Sequence, residues 1–209
     1  ATSTAYSITE SADFSRSSSY SGVNVNTSSL SLLPQEWSWD FESGTFGPEW
    51  TLSGVSNWNI QSSNVISGSQ TAQAGRISSS QETSLTLDVS AIPAGSGTFE
   101  YQVSSESGFD YLVFCIDNTF CSRSSGYSQR WAGILSGTHS FTIPANAQTL
   151  TWKYAKDGSV NSGQDTAWID DITITPTPLF SQTFNKLTRT NNFGIISSFK
   201  TTHKIILKK

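Results

Sequence analysis

The chain has 209 residues and a formal net charge of -4, with 13% charged and 12% aromatic residues, seven Trp and no Met. Ordinary globular chains carry about a quarter charged residues, so coiled coils, basic nucleic-acid binders and acidic disordered chains are excluded. Ser, Thr, Gly and aromatic side chains in place of charge suit a pleated, half-buried surface, and the length suffices for one well-buried core with tails.

The charge is divided along the chain. All sixteen acidic residues and six basic ones lie within residues 1–177, whereas residues 178–209 hold six basic residues and no acidic one. An acidic body argues against nucleic acid as its partner. No apolar run reaches the 18 residues or so of a membrane span. A start at Ala1 rather than Met fits removal of a signal peptide, and equally a trimmed chain.

Residues 1–35 are rich in Ser and Thr, with scattered apolar positions such as Tyr6, Phe14 and Val23. Such a segment cannot bury enough apolar surface to fold alone and reads as an extension, a linker or a strand that docks elsewhere. From Glu36 the pattern changes. Trp37, Trp39 and Phe41 alternate with Ser38, Asp40 and Glu42, and further alternating runs follow at 57–61, 71–77, 84–89, 98–103, 111–116, 128–135, 138–143, 149–156 and 167–175. Turn signals separate them, among them Ser43-Gly44, Ser67-Gly68, Ser136-Gly137 and Asp157-Gly158. About ten strands at this spacing, without helical periodicity, define an all-β sandwich or barrel. Trp37, Trp39, Trp152 and Trp168 sit in strand alternation and are expected in its core. Pro176 and Pro178 end the last run, because proline lacks the ladder donor, and residues 176–209 form a Pro linker with a basic, β-prone tail. The expected organisation is therefore 1–35, 36–175 and 176–209.

Cys115 and Cys121 are the only cysteines, spaced across an Asp117-Asn118 turn signal. Two strands joined by a tight turn bring Cα atoms within disulfide range; the other reading is two buried thiols in a reducing compartment.

Several motifs occur in order: Asp40-Phe41-Glu42-Ser43-Gly44, Tyr101-Gln102-Val103-Ser104-Ser105-Glu106, Asp110-Tyr111-Leu112-Val113-Phe114, Trp131, Leu150-Thr151-Trp152-Lys153-Tyr154-Ala155-Lys156-Asp157-Gly158 and Asp165-Thr166-Ala167-Trp168-Ile169-Asp170-Asp171-Ile172. Together they resemble the MAM-like, concanavalin-like jelly-roll modules of secreted bacterial proteins, including the cleaved-adhesin domains of gingipains. The resemblance covers roughly residues 37–175. It implies a two-sheet antiparallel jelly-roll sandwich, extracellular or at the cell surface, attached to proteins or glycans and not catalytic.

The resemblance also implies a structural calcium ion. Asp40 and Glu42 on the first strand of the body, with Asp170 and Asp171 on the last, supply the oxygen ligands that calcium requires; Glu42 with Asp171 is the leading pair. The loop 156–165 is dense in oxygen atoms but lacks the order of a calcium loop, so a tight connection held by its own Asx side chains is the preferred reading. A glycan site is expected where aromatic rings stand beside carboxylates, at Trp131 with Tyr127 and Arg130 near Glu106 and Asp110. For catalysis, His139 and His203 lack partners at motif spacing and no nucleophile elbow is present. Glu106 with Asp110 would be the only glycosidase-like pair, and no enzyme activity is expected. The runner-up reading is a filament or surface-array subunit that self-associates by exchanging terminal strands across open sheet edges.

Overall fold

A computed structural model describes residues 24–30, 36–177 and 182–188. The N-terminal apolar positions up to Val23, residues 31–35 and the tail beyond Thr188, with His203 and its Ile pairs, lie outside the described residues. The chain divides into two units, 1–31 with 181–209 and 32–180. In the first, β1 (Asn24–Leu30) and β13 (Gln182–Thr188) pair antiparallel, Asn24 opposite Thr188 and Leu30 opposite Gln182. The described parts of the two ends therefore pair within one chain, and exchange of terminal strands between chains finds no support in them.

The second unit is a jelly-roll sandwich of two antiparallel sheets, as the alternating runs imply. One sheet contains β10 (Ile134–Ile143), β7 (Gly95–Ser104), β12 (Thr166–Pro176), β5 (Thr71–Gln73) and β4 (Asn59–Gln61) in that order, with β2 (Trp37–Trp39) also paired to β12. The other runs β3 (Trp50–Gly54), β6 (Glu82–Asp88), β11 (Thr149–Ala155), β8 (Tyr111–Ile116) and β9 (Gln129–Trp131). Their inner faces meet in one apolar core that includes Leu85, Leu87, Phe99, Phe114, Trp152, Ile169 and Ile172, each fully shielded from solvent. Edge-to-face and tilted ring contacts join Phe99, Phe114 and Trp152, arrangements that aromatic quadrupoles favour.

Some local expectations change. The run 128–135 is two strands, because Gly133 at φ +90° turns the chain between β9 and β10. The Ser136-Gly137 signal lies inside β10, an edge strand whose exposed side tolerates glycine. The segment Trp50–Gly54 is a strand that its short pattern hid; it ends at Gly54, φ +108°, where any Cβ would meet the Glu82 carbonyl. Trp152 is core, whereas Trp37 and Trp39 are half-buried against it. Trp168 is buried on the opposite face of its sheet, since its neighbours Ala167 and Ile169 point into the core.

The last module strand carries the sheet's one irregularity of register. Between Asp170 and Thr173 β12 shifts against β7, and Asp171 takes φ +44°. The extra residue is a bulge. It lets Ile172 and Ile174 follow Ile169 into the core at a spacing of three and then two.

Candidate functional site

The first and last strands of the module are neighbours, with Trp39 opposite Ile172. The carboxylates expected there act on one loop. Glu42 Oε1 accepts from the backbone N–H groups of Ser69 (2.7 Å) and Gln70 (3.1 Å), and Oε2 accepts from the Ser69 hydroxyl (2.8 Å). These bonds hold its carboxyl below the ordinary 4.5. From the other side, Asp170 Oδ2 accepts from Ser67 N–H (3.2 Å) and the Thr71 hydroxyl (2.7 Å), while Oδ1 accepts from Asp171 N–H (2.9 Å). Burial raises the Asp170 pKa to about 6. Asp40 Oδ1 accepts from Glu42 N–H and shapes the turn after β2. Each oxygen of Glu42 and Asp170 thus already has a donor. The two carboxylates clasp loop 67–71 from its two sides, while Asp171, the expected partner of Glu42, sits at the bulge of β12.

A second acidic group lies at one end of the sandwich. Glu106 and Asp110, in the connection from β7 to β8, come together with Asp157 after β11. Lys156 stands beside them, fully buried, its ammonium bonded to Asn161 Oδ1 (2.6 Å) and to Asp165. Burial raises the pKa of Glu106, with Asp157 and Asp110 adding to the effect, and burial also raises that of Asp110. The loop 156–165 is accordingly anchored by its own side chains: Ser159 N–H donates to Asp157 Oδ1, and Tyr154 Oη bonds Asp165.

The aromatic cluster expected around Trp131 is divided between faces. Trp131 lies opposite Leu112 and points inward, half-buried, its ring 4.3 Å from that of Tyr101 and in contact with Phe99 and His139. Arg130 lies opposite Val113 on the outer face, its guanidinium over the rings of Tyr111 (4.2 Å) and Tyr127 (4.6 Å). Glu106 and Asp110 belong to the acidic group instead. His139 is enclosed by the rings of Phe99, Phe114 and Trp131, and burial lowers its pKa.

Cys115 and Cys121 form a disulfide, with Cα atoms 5.9 Å apart. It does not bridge two strands of a tight hairpin. Cys121 lies in the long connection between β8 and β9, and the bond seats that connection over Val113 on the outer face, where Tyr111 and Tyr127 also pack.

A line of residues that motif reading passed over crosses the outer face of the other sheet. Ser136 pairs with Gln102, Gln102 with Trp168, Trp168 with Gln73 and Gln73 with Asn59. Directly paired residues share a face, and the neighbours of Gln102, Gln73 and Asn59 point into the core. The row crosses five strands, about 19 Å at the usual interstrand spacing. Among the described residues, no side-chain hydrogen bond is found for Gln102, Gln73 or Asn59, which reach solvent, whereas the indole N–H of Trp168 between them is buried without a partner. Glu100, two residues from Gln102, adds a carboxylate opposite Thr138. No single residue in this row forms a motif; only strand register assembles it.

No family model matches the sequence, and no curated protein matches it. Among solved structures, the chain is similar to the K2 cleaved adhesin domain of Lys-gingipain, with a TM-score of 0.51, 17% identity, and 68% of this chain against 98% of that one. The K1 cleaved adhesin domain of Lys-gingipain from Porphyromonas gingivalis W83 is matched at a TM-score of 0.47, 12% identity, and 68% against 99% coverage. The CBM22-1 xylan-binding domain of Paenibacillus barcinonensis Xyn10C is matched at 0.44, 14% identity, and 70% against 97%. The class defined is a jelly-roll β-sandwich of the architecture seen in the K2 domain; the likeness establishes that fold and nothing finer.

Proposed function

We propose that the module is a non-catalytic, extracellular attachment domain that takes a polyhydroxylated polymer, a glycan, along the outer face of the β10-β7-β12-β5-β4 sheet. The observation that carries this reading is the cross-strand row with unspent amides at Gln102, Gln73 and Asn59. Each amide offers both a donor and an acceptor, which suits pairs of neighbouring hydroxyls. A line across five strands suits an extended chain better than a compact metabolite, which would be held in a cleft. The fold shared with the K2 cleaved adhesin domain is compatible with an attachment role.

Binding should be measured by calorimetry against a panel of soluble polysaccharides. The Gln73→Ala/Gln102→Ala double variant should weaken affinity by about tenfold, as loss of two or more net hydrogen bonds of about 0.5–1.5 kcal/mol each requires. Binding unchanged by that substitution, or no glycan bound by the wild-type chain, would sink the proposal.

A further inference from the structure

The three carboxylates at the end of the sandwich have the spacing of oxygens round a shared ion. One oxygen from each of Glu106, Asp110 and Asp157 lies within 4.8 Å of the other two. Two ligands of one calcium ion, at about 2.3–2.6 Å each, can be separated by at most about 4.6–5.2 Å. A second observation is independent of this clustering. The Asp110 side chain is wholly buried and its Oδ2 makes no hydrogen bond; Glu106 Oε2 is likewise buried without a partner. A buried carboxylate oxygen left unpaired is costly, so two in one place ask for a cation.

Lys156 does not meet that need. Its ammonium is 3.8 Å from Asp110 Oδ2, beyond hydrogen-bond distance, and is engaged by Asn161 and Asp165. Glu106, Asp110, Asp157 and Asp165 thus set four carboxylates against one ammonium. The frame is already built: Asp157 N–H donates to Asp110 Oδ1 (2.8 Å), and the Ser105 hydroxyl donates to the Asp110 carbonyl while accepting from Gly133 N–H. These bonds fix the two loops and leave Asp110 Oδ2 free. A surface cleft of about 370 Å³, lined by Ser80, Gln81, Arg123, Lys156 and Asp157 among others, meets the group at Asp157.

We propose that Glu106, Asp110 and Asp157 form a divalent-cation site for calcium, which ties the β7–β8 connection to the β11–β12 connection. Calcium accepts irregular oxygen sets completed by water, whereas magnesium demands near-ideal octahedral geometry. The site is separate from the amide row and does not depend on the glycan reading.

The test uses the full chain, stripped with a chelator and titrated with calcium chloride by calorimetry, with melting temperature followed in parallel. Calcium should bind and raise the melting temperature, and Glu106→Gln and Asp157→Asn should each weaken its affinity by more than about tenfold. Without calcium, Glu106→Gln should melt above the wild type, because one repelling charge is gone. Glu42→Gln, at the other carboxylate pair, should leave calcium affinity unchanged. The proposal is overturned by absence of calcium binding, by binding that survives both Glu106→Gln and Asp157→Asn, or by binding that only Glu42→Gln removes.

Discussion

Asp170 and Glu42 are two carboxylates on one loop with opposite electrostatics. Burial raises Asp170 from 3.8 to about 6, while hydrogen bonds from Ser69 and Gln70 depress Glu42 below 4.5. A carboxyl raised in the folded state adds stability that is fully present below pH 3.8 and is lost as pH rises through about 6. Glu42 works the other way, its contribution being lost as pH falls through its depressed value. A carboxyl-carbon NMR titration should place the Asp170 midpoint near 6 and that of Glu42 below 4.5; an Asp170 midpoint below 4.5 contradicts the buried clasp. The same loop constrains Gly68, at φ +59°, where a Cβ would run into the Glu42 carboxylate. Gly68→Ala should therefore cost more than about 1 kcal/mol in chemical denaturation, and a neutral effect would show that loop 67–71 is not held there. That the first and last strands of the module lie side by side was legible from the motifs at its two ends. That Glu42 and Asp170 are served by backbone donors was not, because the partners lie in a loop whose own sequence gives no sign of them.

Strands were legible where alternation ran for five residues or more, because each such run puts one apolar face toward the opposite sheet. Trp50–Gly54 escaped because only Trp50 and Leu52 mark its inner face, and the split of 128–135 escaped because it depends on one positive φ at Gly133. The pairing of Cys115 with Cys121 was legible as one of two readings, but the element it holds is a connection laid on the outer face of β8, not a tight hairpin. Closing so short a loop constrains the unfolded chain modestly. Cys115→Ala/Cys121→Ala should lower stability by about 2 kcal/mol in urea denaturation. A loss near zero would mean that Tyr111 and Tyr127 seat the connection without the bond.

For the whole molecule, residues 32–180 form one compact unit, and the paired strands β1 and β13 belong to another. A chain of residues 32–180 should therefore unfold cooperatively at the melting temperature of the full protein, as calorimetry would read it; a broadened or lower transition would contradict an independent module. The composition pointed to an acidic β-module with a basic appendage, and the sandwich architecture followed from strand spacing. The amide row could not be read from sequence, since Gln102, Gln73 and Asn59 are unremarkable residues until register sets them in line. The most direct measurement is therefore NMR mapping of the labelled protein with a soluble polysaccharide that it binds. A binding face on this sheet predicts shifts confined to the side-chain amides of Gln73, Gln102 and Asn59. Shifts on the β3-β6-β11-β8-β9 sheet instead, or at none of these residues, would contradict it.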